Sequence, residues 1–402
     1  MRNFLFSTTR QWNPGDEFIL MGIRRLFEEA GFAFNPIIYN RSPEVTQPRI
    51  GWNPLRRLQR PVRGQRVLSS FLRLGFYDNS FKLGMDGDFI DLAVFAGTPG
   101  WFEGSARPLY KAIEQHRIPT LFLGIGSAWS AADLASYIDD PLILKVLSKA
   151  LLITVRDPVT HEVLSAMNLH PIQLPCPALF AAARARKIKR VESIGLIYSA
   201  RSALPNQRVD EAVHGPMVEL FDRIRKRYSP KMHIEFVAHY IDDLPEFRRT
   251  FTDNPSIHYS YDARDYLEIY RHFDLVAGAR VHGIGLAASL GIPGIYFGHD
   301  DRRGTVEGFK SPDIDLRRSG GVDRAMALFE TSIESITARH AELIQHKQSS
   351  KNRYLDLIRY HLGSSGADPG KPGVFESPGP GPAAAGGSES GGAGESGGGS
   401  MQ

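Results

Sequence analysis

Short, almost wholly apolar runs recur along this chain, each followed by an amphipathic stretch, and that alternation limits the folds open to it. Runs such as 89–96 and 273–277 carry apolar residues on both faces. A strand of that kind belongs in a parallel sheet with helices over both sides. In the first half, strands read at 3–8, 34–39, 89–96, 119–124 and 151–155, with helices at 16–30, 107–116, 142–150 and 158–167. In the second half, strands read at 193–198, 233–238, 256–259, 273–277 and 294–297. Helices there read at 210–227, 243–251, 263–271, 283–290, 323–345 and 350–362. The pattern predicts an α/β protein with two doubly wound parallel-sheet domains facing a cleft. The expected division is 1–183, then 184–362 after a basic linker, then a Gly/Ser/Pro tail over 363–402. That tail has too little apolar surface to offset its chain entropy and is expected to be disordered.

Composition narrows the function classes. A chain of 402 residues, 42% hydrophobic and 23% charged, has ample core for two domains. One cysteine, Cys176, excludes an internal disulfide framework and a cysteine-built zinc site, and fits a reducing compartment. The opening residues turn polar too soon for a signal peptide, and no run approaches a membrane span, so a cytoplasmic protein is expected.

The net charge of +4 is unevenly spread. Between Arg41 and Phe76, eight arginines face Glu44 alone, which accounts for the entire basic excess outside the tail. A nucleic-acid binder would spread basic residues over its fold or show an RNA motif, and neither is present, so no nucleic-acid partner is expected. The insertion 41–83 interleaves its arginines with Trp52, Leu55, Leu58, Phe71 and Phe76. It reads either as an amphipathic lip touching anionic lipid head groups or an anionic acceptor, which would bring the protein to the inner membrane face, or as a solvated loop.

The stretch Gly278-Ala279-Arg280-Val281-His282-Gly283 joins a strand to a small-residue helix. Ligands of open α/β sheets bind beyond the carboxyl ends of the strands. A helix N-terminus there adds unpaired N–H groups and a positive dipole end. Arg280, His282 and that helix end suit a compact anion, with Gly278 and Gly283 read as letting the ligand approach the backbone. The competing reading is a surface turn with two incidental polar residues.

Other candidates carry paired readings. Arg156 ends a strand and is placed to line a cleft, but Asp157-Pro158 is a natural helix start, and the capping reading is preferred. Gly124-Ile125-Gly126 is too short for a dinucleotide fingerprint. Asp86-Gly87-Asp88 has metal-site spacing but precedes its strand, so a turn is expected and no metal site is assigned. His299-Asp300-Asp301, with Arg302 and Arg303, follows a strand end and reads as exposed loop. Cys176, between two prolines, reads as a structural thiol.

Taken in order, Asn13-Pro14-Gly15-Asp16-Glu17, Leu123-Gly124-Ile125-Gly126-Ser127, Val155-Arg156-Asp157, Pro175-Cys176-Pro177-Ala178-Leu179, the stretch from Ile194 to Arg201 and the Arg280-Val281-His282 motif resemble the polysaccharide pyruvyl transferase family over residues 3–310. The resemblance implies a two-domain fold like the GT-B glycosyltransferases and phosphoenolpyruvate as donor. It implies transfer of a pyruvyl group to two hydroxyls of a glycan or lipid-linked sugar as a cyclic ketal, with release of phosphate and no cofactor. Arg280-Val281-His282 looks like the family's Arg-x-His donor site, and Arg201 is similar to the arginine that assists there. Arg201, Arg280, His282 and Gly283 are thus the expected donor-binding residues. His282 reads either as a phosphate ligand or as the acid, and Asp16 is the candidate base against a reading as a helix N-cap; which residue is acid and which is base stays open in the sequence. Gly97-Thr98-Pro99-Gly100 departs from the run of glycines usual in the family. Two other functions stay open: a nucleotide-sugar glycosyltransferase on the same fold, and a glycan-binding homologue without activity.

Overall fold

The structure is a computed structural model, and it describes residues 1–9, 13–41, 89–97, 99–102, 106–201, 209–298 and 302–363. The first half runs β1 Arg2–Thr8, α1 Pro14–Glu29, β2 Phe34–Asn40, β3 Leu92–Ala96, α2 Arg107–His116, β4 Thr120–Ile125, α3 Ala131–Ile138, α4 Pro141–Ser148, β5 Leu152–Val155, α5 Pro158–Ala166 and β6 Ile172–Gln173. The second half runs β7 Ser193–Tyr198, α6 Glu211–Tyr228, β8 His233–Ala238, α7 Asp243–Thr250, β9 Ile257–His258, α8 Asp265–Arg271, β10 Leu275–Gly278, α9 Val281–Ser289, β11 Gly294–Phe297, α10 Arg303–Val306, β12 Asp313–Ile314, α11 Gly321–Glu334 and α12 Ile336–Gly363.

Each half is a six-stranded sheet, ordered β2-β1-β3-β4-β5-β6 and β12-β11-β10-β7-β8-β9. The strand pairs are parallel, with registers such as Phe4↔Leu92 and Val276↔Gly195. Every residue of β3, β4, β5, β10 and β11 is buried, which is why these segments are almost wholly apolar, with Thr120 and Thr154 as the exceptions. Counted within its own half, the second sheet has the 3-2-1-4-5-6 order of a dinucleotide-binding fold, and the first begins 2-1-3-4-5. Each order reverses once, between β1 and β3 and between β7 and β10. Ligands of such sheets bind outside those two points.

Local chemistry sets the helix starts. Asp157 accepts from Thr160 N at 2.8 Å with Pro158 in the first turn, and Asp140 and Asp210 cap α4 and α6 in the same way. One apolar core runs through both halves, from Phe4 and Phe18 to Ile284 and Ile358. The helix α1 packs against the 3-10 turn Pro177–Phe180 and against α9 of the second half. A methyl on Gly22 would overlap the Pro177 carbonyl, so only glycine allows α1 that close.

The ends of the chain's last helices differ from expectation. The break falls at Ser335 rather than between 345 and 350, because 336–362 carries no Gly or Pro and the helix runs unbroken for 28 residues to Gly363. α12 crosses back to the first half, where Tyr354 Oη donates to Pro175 O at 2.9 Å and Lys351 pairs with Glu29 at 2.9 Å. No helix among the described residues is long and apolar enough to cross a membrane. The insertion beyond Arg41, with its proposed lipid contact, the Asp86-Gly87-Asp88 turn, His299-Asp300-Asp301, Thr98 and the tail after Gly363 lie outside the described residues.

Candidate functional site

The two reversal points face each other. After β1, the chain turns at Asn13 into α1, and after β10 it turns at Arg280 into α9. Tyr240, just past β8, donates its hydroxyl to Asn13 Oδ1 at 3.2 Å across the gap between the halves.

Arg280 occupies the N-cap position of α9 in extended conformation, with φ −103° and ψ 103°. Its Nη2 donates to Asp243 Oδ1 at 3.1 Å and Oδ2 at 3.4 Å, and its guanidinium lies 4.5 Å from the centre of the Tyr240 ring. Asp243 is itself held by the backbone N–H groups of Ala200 at 2.9 Å and Tyr240 at 3.2 Å. Burial pushes the Asp243 carboxyl above its ordinary range, and Arg280 and the two amides draw back only part of that rise. Arg280 is therefore aimed by a carboxylate below and a ring face beside it.

His282 is partly buried. Its Nε2 is 3.0 Å from Arg156 Nη1. Arginine only donates, so Nε2 accepts and the ring's proton sits on Nδ1. The Nδ1 edge packs on Gly15, where any side chain would strike it. Burial, then Arg156, Arg302 and His239, hold the imidazole far below its usual protonation range. In this geometry His282 is a neutral acceptor toward Arg156.

Arg156 meets His282 at this junction. It is only 2% exposed, its Nε has no hydrogen-bond partner, and its guanidinium meets His282 Nε2 and, at 3.8 Å, Cys176 Sγ. No carboxylate pairs with it among the described residues. Its neighbour Asp157 does cap α5, and also accepts from Ser127 N at 3.1 Å. Of the two readings of Arg156-Asp157, the capping one is seen at Asp157. A buried cation without an acid is costly unless an anion completes it.

The remaining candidates sort differently. Arg201 does not join Arg280: its Nε donates to Glu246 at 2.7 Å and its Nη1 to Glu211 at 2.6 Å, so α6 and α7 draw its half-exposed side chain aside. Gly283 does not open the backbone to a ligand on its Cα side. A methyl there would meet Tyr270 Oη at 2.7 Å and His239 Cε1 at 2.8 Å, and one on Gly278 would meet Ile197 O at 2.5 Å. These glycines let α9 sit tightly on β7 and α8, while the N–H of Gly283 stays in the first turn of α9. Asp16 is not the N-cap of α1, a position taken by Asn13. It stands in the first turn, buried, with Oδ2 3.9 Å from Arg41 Nη2. Arg41, counted with the basic insertion, is a buried partner of the site. Cys176 is buried, and its thiol is pushed up by burial. Tyr240 and Asp243 gave no signal in sequence, since neither lies in a motif and both act through contacts 37 to 227 residues away.

The fold has solved counterparts. S. aureus MnaA in a co-structure with UDP superposes with a TM-score of 0.55 at 12% identity, covering 94% of this chain and 100% of that one. A putative UDP-N-acetylglucosamine 2-epimerase from Listeria monocytogenes gives 0.55 at 14% identity, covering 90% and 96%. The Neisseria meningitidis UDP-GlcNAc 2-epimerase bound to UDP-GlcNAc gives 0.53 at 11%, covering 90% and 100%. These likenesses establish a GT-B-like fold of two parallel-sheet domains. No curated protein sequence matches the chain. The family model for polysaccharide pyruvyl transferases matches residues 13–301, a span that opens at Asn13 of α1 and takes in Arg156, Arg280 and His282. By that match over most of its length, the chain belongs to the polysaccharide pyruvyl transferase family.

Proposed function

We propose that the protein transfers a pyruvyl group from phosphoenolpyruvate to two hydroxyls of a glycan or lipid-linked sugar, forming a cyclic ketal and releasing phosphate. The observation that carries this reading is the meeting of Arg280 and His282, from the end of β10, with Arg156, from the end of β5, beside the N-terminus of α9. Phosphoenolpyruvate bears a phosphate and a carboxylate. Two arginines and a helix end supply the charge and the directed N–H donors that such a dense anion needs. In the reaction, a proton goes to the methylene carbon and leaves an oxocarbenium-like centre. One sugar hydroxyl adds there and gives up its proton, the C–O bond to phosphate breaks, and the second hydroxyl closes the ring as its proton passes to the departing phosphate. Asp16, one residue from the Gly15 that backs His282, is the carboxylate assigned to accept the hydroxyl proton.

Incubating the protein with phosphoenolpyruvate and a panel of sugars should release inorganic phosphate only with a suitable acceptor. Arg280→Ala and His282→Ala should abolish turnover while preserving the fold. Full activity in either variant, or no phosphate with any acceptor and no donor binding by calorimetry, would sink the assignment. A second reading, nucleotide-sugar transfer, is supported by the UDP ligands named in the structures of like fold. It predicts that UDP, and not phosphoenolpyruvate, raises the melting temperature.

A further inference from the structure

The contact between Arg156 and His282 sets a condition on catalysis. We propose that Arg156 keeps His282 neutral in the free protein, and that the donor's phosphate, by taking the N–H groups of Arg156, frees Nε2 to bind the proton later given to the methylene carbon. The inference rests on the pyruvyl-transfer reading and assigns Arg156 as a positioning residue for the acid.

The geometry supports each part. Arg156 Nη1 points at Nε2 from 3.0 Å, so no proton fits on that nitrogen while the contact lasts. The charged and titratable groups around the ring are Arg156 from the end of β5, Arg302 before α10, His239 from the end of β8 and, on α1, Asp16, which is turned to Arg41. On α8, Tyr270 Oη is bound by His239 at 2.8 Å, and on α10 Arg303 is paired with Asp313 at 2.5 Å. Arg280, two residues away, is answered by Asp243. Arg156 alone touches the ring's acceptor nitrogen and has no carboxylate of its own among the described residues. Its buried Nε and its Nη1 are the donors an incoming anion completes. A phosphate held there turns the local field beside Nε2 from positive to negative, which favours imidazolium. The proton comes from solvent, one per site. Without donor the protein holds no armed acid, so a proton is not spent on water or on a stray ligand.

The test uses sulfate, a dianion that does not titrate near neutrality, and protein labelled with 15N in its histidines. In chloride at pH 7, Nε2 of His282 should give the signal of an unprotonated nitrogen. Sulfate at matched ionic strength should convert it to a protonated one, and calorimetry in buffers of different ionisation heat should show uptake of about one proton. In Arg156→Met the ring should titrate at higher pH in the free protein, and sulfate should no longer change it. The wild-type spectra decide the matter even when that variant fails to fold. Sulfate that binds while Nε2 stays unprotonated overturns the switch but leaves the anion site standing. Sulfate that does not bind at all overturns both.

Discussion

Arg280 shows how much of a side chain's chemistry is set by what holds it. Its charge is balanced by Asp243 and its flat face lies on Tyr240, so two properties peculiar to guanidinium are in use at once. Lysine keeps the charge and loses the fork and the plane. Arg280→Lys is expected to fold normally and to lower kcat/KM for phosphoenolpyruvate by at least about tenfold, or roughly 1.4 kcal/mol. Steady-state kinetics beside a melting curve separates that loss from unfolding. Asp243→Asn removes the carboxylate and leaves a buried cation short of its partner. Loss of one member of a buried pair costs about 3–5 kcal/mol, and urea denaturation should show it. An unchanged midpoint would mean that the pair contributes nothing to the fold.

At the scale of elements, α1 decides the geometry of the junction. It places Gly15 on His282 at one end and Gly22 on the Pro177–Phe180 turn in the middle. Helix propensity favours alanine over glycine by about 1 kcal/mol in a helix interior. Packing argues the opposite way at Gly22, because the added methyl would overlap a backbone carbonyl that cannot swing aside. Overpacking of this kind costs about 1–3 kcal/mol or more. Gly22→Ala should therefore lower the melting temperature despite the better helix former. A rise would show that α1 has room to move away from the turn. The small residues of α9 follow the same logic, with Gly285 lying where a side chain would run into Phe309.

In the whole molecule, the halves meet over a shared apolar core, with α12 crossing from the second to the first, and with His239 buried and His282 partly buried near the seam. Burial, with Arg280 adding to it, pushes His239 down to about 3, and His282 shifts the same way. In the unfolded chain each histidine binds a proton near pH 6.5. Between that value and the lower folded one, the unfolded state holds more protons, so stability rises with pH across the window and is lost on acidification. Each histidine contributes up to about 1.4 kcal/mol per pH unit below 6.5. The melting temperature should fall steadily between pH 7 and pH 5. A flat profile over that range would show that neither ring is buried in the neutral state.

Much of this architecture is legible in the chain. Strands buried on both faces must be apolar throughout, and Asp-Pro or Asp two or three residues before a free N–H must cap a helix. The positions of β1, β7, β8, β10, β11, α2, α5 and α9 accordingly follow from residues local to each element. Arg280 and His282 also stood out, because a strand end, a glycine pair and a helix start lie together within six residues. What the chain could not show in one dimension is partnership. Asn13 meets Tyr240, Gly15 meets His282 and Arg156 meets His282 only because two sheets with opposed reversal points are pressed together by one continuous core. The same folding draws Arg201 to Glu246 and Glu211, and sets the His282 ring against Arg156. Local sequence determined the elements and the strand-to-helix junction that carries Arg280 and His282. Charge states and neighbours were decided by tertiary structure, because burial and the distance between charges exist only once the two halves have met.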